Sequence, residues 1–155
     1  MTTKRFIIQT PEGVAVVKPY APRLEDETEA AYIARVHART VEKWLRDGKL
    51  PPGDYPLVVI EHEEIPQDRS YRDAWTFNGK FDHDLNKARE LHKEKLRLAR
   101  VPLLQDLDIQ VSKALASGKP EVAPLEAERQ KLRDITADPR IEVAQTIDDL
   151  KKVTV

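Results

Sequence analysis

The sequence predicts an α+β fold: a small N-terminal β-sheet with one helix, followed by a long C-terminal helical hairpin and a short closing helix. Three observations carry this. Two β-prone runs, Arg5 to Thr10 and Val14 to Val17, are separated by Pro11-Glu12-Gly13, which is a hairpin signal. A third short run, Leu57-Val58-Val59-Ile60, is β-branched and bounded by turn residues. From Asp84 to Ser117 there is no glycine, and strong helix formers dominate.

After the hairpin, Pro19 and Pro22 mark a loop. Asp26, with Glu29 at capping-box spacing, is expected to start a helix. Ile33, His37, Val41, Trp44 and Leu45 then recur at helical intervals, and Gly48 is a natural terminator before Pro51-Pro52-Gly53. Leu57–Ile60 follows as a strand, expected in the centre of the sheet, completing a ββαβ domain over residues 1–62. Residues 63–82 read as an irregular linker. Tyr71 and Trp75 lie four apart on one helical turn, and Asn78-Gly79 is placed to turn a brief Trp75–Phe77 strand toward Phe81.

The helical region is expected over 83–155. Its first arm carries Leu85, Ala88, His92, Leu96, Ala99, Leu103, Leu107, Val111 and Leu115 as one apolar stripe. Pro102 is expected to kink or split that arm, having no N–H to give the preceding turn. Gly118-Lys119-Pro120 reverses the chain, and Pro124 opens a second arm with Leu125, Glu128, Leu132 and Ile135, which Ala137-Asp138-Pro139 stops. Thr146 begins the closing helix, with Ile147, Leu150 and Val153 facing inward. The second arm covers only the Pro102–Ser117 half of the first. The half before Pro102 is therefore expected to meet the ββαβ domain or another chain.

Composition narrows the function. The 155 residues carry 26 basic and 27 acidic side chains, a balance that gives no global attraction to nucleic acid or anionic membrane. Without cysteine there is no disulfide, thiolate nucleophile or Cys-based zinc site. Phe6-Ile7-Ile8 is too short for the apolar core of a signal peptide, and no run approaches a membrane span. The chain reads as a soluble protein made in the cytoplasm.

Enzymatic motifs are missing. Ser70, Ser112 and Ser117 lie in no nucleophile elbow, and the five glycines form no phosphate-cradling loop. A metal site would have to combine His62, Glu64, His83 and Asp84, but neither cluster has the His-Glu-x-x-His spacing that puts two ligands on one helix face. Neither enzyme nor cofactor is expected. Two features remain as candidates for partner binding. One is the basic face of the long helix, with Lys87, Arg89, Lys93, Lys95, Arg97 and Arg100 against Glu90 and Glu94. It offers a phosphate-binding surface, but no aromatic residues interleave it, which favours a solvated face or a dock for acidic protein. The other is the pair Tyr71 and Trp75, interface anchors if exposed and core if buried, with burial favoured because the chain is poor in aromatics.

Several strings in the C-terminal half resemble a known group. They are Asp68 to Phe77, Lys87-Ala88-Arg89-Glu90-Leu91-His92, Ala99-Arg100-Val101-Pro102-Leu103-Leu104, Leu107-Asp108, and Lys131 to Pro139 ahead of a short helix. This layout resembles small proteins of tailed bacteriophages and prophages encoded near tail genes. It is similar, more loosely, to the C-terminal helical part of tail-fibre assembly proteins, with Leu132-Arg133 and Pro139 at the family's leucine-arginine helix. The resemblance spans residues 61 to 153 and carries no catalytic residues. It implies a tail or fibre protein as partner, or self-association, in the host cytoplasm during assembly or in the particle itself. The alternative is a nucleic-acid-binding factor using helix 87–100.

Overall fold

The computed structural model describes residues 3–118 and 122–155. It shows the α+β architecture as two compact units, Met1–His83 and Asp84–Val155.

In the first unit, strands β1 (Arg5–Thr10) and β2 (Gly13–Val17) pair antiparallel, with Thr10 opposite Gly13 and Phe6 opposite Val17. Strand β3 (Val58–Ile60) pairs with the other side of β1, so the order is β2-β1-β3. The expectation that this third strand is central is corrected. Alternation along β1 makes it the strand with both faces covered. Phe6 and Ile8 pack on one face with Tyr32, Ile33, Val36 and Leu50. Ile7 packs on the other with Ile60, Ile65 and Trp75.

Helix α1 (Glu29–Arg46) supplies the first cover. Its N-cap is Thr28, whose Oγ1 accepts from Ala31 N at 3.2 Å, and not Asp26 as the capping-box spacing suggests. Asp26 instead takes a left-handed conformation, φ 61°, in the preceding turn. That frees Glu27 for a bidentate bond from Arg35, at 2.7 Å through both Nε and Nη2. Arg35 also donates to Pro22 O and lies over the Tyr32 ring, and the Tyr32 hydroxyl donates to Ala21 O. The Pro19–Thr28 loop is thus stitched to α1. At the other end Gly48, φ 69°, donates to Leu45 O while Lys49 N reaches back to Trp44 O, which closes a Schellman turn.

The segment expected as a linker over 63–82 lies inside this unit. Strands β4 (Trp75–Phe77) and β5 (Phe81–His83) form a hairpin around Gly79, φ 80°, as Asn78-Gly79 suggests. Trp75, Phe77 and Phe81 pack edge to face and join the cluster around Ile7. The Gln9 side chain donates to Phe77 O at 2.9 Å.

In the second unit, α2 (Leu85–Ala116) is one continuous helix that runs through Pro102, capped by Asp84 through the amides of Asn86 and Lys87. Of the kink or split expected at Pro102, the split does not occur. Gly118 takes a left-handed conformation, φ 65°, while Lys119 and Pro120 of the expected reversal lie outside the described residues. Helix α3 (Val122–Asp134) packs on α2, with Leu125, Arg129 and Leu132 half-buried and Glu128 exposed, contrary to the expected stripe. Asp138-Pro139 does more than stop a helix. Asp138 caps and Pro139 opens a further short helix, α4 (Pro139–Val143), which buries Ile141 completely. The closing helix α5 (Ile147–Lys151) has Thr146 as its cap and buries Leu150, with Val153 buried just beyond it.

Candidate functional site

The half of α2 before Pro102 is not left without a partner. Its buried residues Ala88, His92 and Leu96 lie on the side tied to the chain's own C-terminal segment. His92 Nε2 is 3.0 Å from Val153 O, and Arg89 donates to Ala144 O at 2.9 Å. Lys93 bridges Glu90 at 2.8 Å and Glu142 at 2.7 Å. These two carboxylates hold the Lys93 ammonium above its ordinary pKa through their hydrogen bonds.

Most of the basic face therefore has structural work. Arg100 donates to the carbonyls of Leu132 and Arg133, at 3.2 and 2.5 Å, serving the unpaired C-terminal end of α3. Arg97 pairs with Glu94 one turn back at 3.0 Å. Lys87 and Lys95 are also engaged. Arg129 of α3 returns the bond, reaching Asp108 of α2 at 2.6 Å.

Tyr71 and Trp75 are 3% and 5% exposed, so neither is available as a surface anchor. They flank a single 3-10 turn, Arg72–Ala74, and Trp75 belongs to the cluster around Ile7. The residues weighed as metal ligands have other roles or none together. Glu64 closes a capping box with Glu61 around His62–Glu64, and Asp84 caps α2. Among the described residues no group of three potential ligands converges. No helix among them is long and apolar enough to cross a membrane.

A different surface of α2 stands out. Leu98 is 66% exposed, Val101 47% and Ile109 52%. At about 100° per residue, these three and Pro102 project within an arc of about 100°, opposite the buried stripe. Leu115, 63% exposed, lies at the margin of the same face. Leu103 and Leu115, expected on the packed stripe, are exposed. Leu104 and Ala114 lie on the buried side instead. The signal for a second stripe was present at Leu98, Val101 and Ile109, but a helix read for one apolar face conceals another. Comparison with known families, with curated proteins and with solved structures finds no match to this chain.

Proposed function

We propose that this is a non-enzymatic, phage tail-associated protein that works by contact with other proteins, through the face of α2 bearing Leu98, Val101 and Ile109. The carrying observation is that these large apolar side chains stay in water on a helix whose opposite side is already packed. Apolar residues grouped on one exposed face favour association with another surface. The resemblance of the C-terminal half to small tail-region phage proteins supplies the setting. The partner is a tail or fibre protein, met in the host cytoplasm during assembly, and the chain acts as an accessory virion subunit or a fibre-assembly factor.

The test is recovery of tail components on the immobilised protein, with solution mass measured in parallel by light scattering. A Leu98→Glu/Ile109→Glu double variant should keep its helical circular dichroism and lose the tail component. Self-association lost in the same variant would assign the face to a second copy. A strictly monomeric protein that retains no tail component would overturn the reading. Mass spectrometry of purified particles then separates the two roles, since a subunit is present and an assembly factor absent.

A further inference from the structure

A second contact surface lies in the first unit, independent of the α2 face. β2 is an edge strand, with β1 on one side only. Its two-residue connection makes Thr10 and Gly13 the closing pair of the ladder. By antiparallel alternation, Ala15 and Val17 then spend their backbone groups on β1, while Val14 and Val16 direct N–H and C=O outward. Against this edge lies a groove of about 680 Å³, floored by residues of both faces of β2. That size is in the ordinary range of ligand sites.

The charge of the groove is lopsided. Arg5, Lys18, Arg69 and Arg72 line it, against Asp73 as the only carboxylate among the described lining residues. The chain as a whole carries −1, so this is a local concentration of positive charge. Arg72 and Asp73 pair at 3.4 Å with both side chains about two-thirds exposed, a contact too weak to withhold the guanidinium from a ligand. Arg5 gives one nitrogen to the carbonyls of Thr3 and Lys4, which fixes its side chain beside the edge. Trp75 also lines the groove, and its indole N–H has no acceptor among the described residues.

We infer that this groove binds an extended acidic segment of a partner protein, added alongside β2. Backbone groups of the segment meet those of Val14 and Val16, and its carboxylates meet Arg69, Arg72 and Lys18. Strand addition supplies affinity through the main chain and specificity through alternate side chains. A second copy of this chain is a poor occupant, because pairing two β2 edges would bring like-charged clusters together. The inference shares with the proposed function only the premise of protein contacts, and it uses different residues.

The probe is a fluorescent ten-residue peptide alternating valine with aspartate or glutamate, titrated against the full chain at low salt and followed by anisotropy. Saturable binding is expected, with slowed amide hydrogen exchange at Val14 and Val16. The Arg69→Ala/Arg72→Ala variant should weaken it by about tenfold, the loss expected when two solvent-exposed ion pairs are removed together. The Leu98→Glu/Ile109→Glu variant should bind as tightly as the parent, which keeps this outcome distinct from failure of the α2 reading. No binding, or binding unchanged in the arginine variant, overturns the inference. Equal binding of a peptide N-methylated at every backbone amide overturns the strand-addition geometry.

Discussion

Pro102 stands inside α2 with its ring exposed, where a proline removes one helical hydrogen bond and crowds the carbonyl four residues back. It packs little, so its replacement costs little burial. Pro102→Ala should raise the stability of the second unit by about 1–3 kcal/mol, measured by urea unfolding. The histidines set the response to acid. His37 is buried edge-on against Phe6 at 5.2 Å, and its Nε2 has no partner among the described residues. Burial pushes its pKa below the ordinary value. Burial does the same to His92, aided by the charge of Lys95 and opposed by its bond to Val153. The unfolded chain therefore binds more protons just below about pH 6.5, and stability falls as pH drops through that window. A second loss follows at lower pH. Glu27, held by the Arg35 guanidinium at about 2, contributes stability above the ordinary carboxylate range that disappears as pH falls toward 2. Unfolding free energies across pH should show both phases, with the upper one reduced in His37→Leu.

Among elements, the C-terminal segment does most to organise the second unit. Ile141 and Leu150 are fully buried, and Arg89, His92 and Lys93 each bond to residues between Glu142 and Val153. Ile141→Ala should cost about 2–5 kcal/mol and should speed amide exchange in the Ala88–Leu96 turns of α2 before its C-terminal turns. Uniform exchange along the helix would show that the segment is not its cover. The stripe itself departs from a straight apolar row in the middle of the helix. From Ala88 it advances by four residues to His92, Leu96, Arg100 and Leu104, then by mixed steps to Leu107, Val111 and Ala114. Each four-residue step turns about 40° around the axis. The apolar face therefore winds as its cover changes from the C-terminal segment to α3, and a single straight stripe misplaces Ala99, Leu103 and Leu115.

On the scale of the whole molecule, the two units can be watched separately. Both tryptophans, Trp44 and Trp75, belong to the first, whereas most helical residues belong to the second. Ile141→Ala should displace the circular dichroism transition more than the tryptophan fluorescence transition. Coincident shifts would mean the units unfold as one. Local patterns made the elements legible in the sequence. The Gly-punctuated hairpins, the β-branched run at Val58–Ile60 and the uninterrupted run of helix formers all follow from backbone preference. Partnership was harder to read. Arg100, Lys93 and Arg89 look like a charged surface in one dimension, and only the return of the chain shows which carbonyls and carboxylates they meet. The groove beside β2 was invisible for the same reason, because Arg5, Lys18 and Arg69 are far apart in sequence.

The cover of α2 also sets an order of events during synthesis. Val153 follows its partner His92 by 61 residues. At about 5–20 residues per second, a ribosome needs about 3–12 s to bridge that interval. Until Val153 has emerged, Ala88 and Leu96 have nothing of their own to rest on, so the nascent chain carries a transient sticky surface that the finished protein hides.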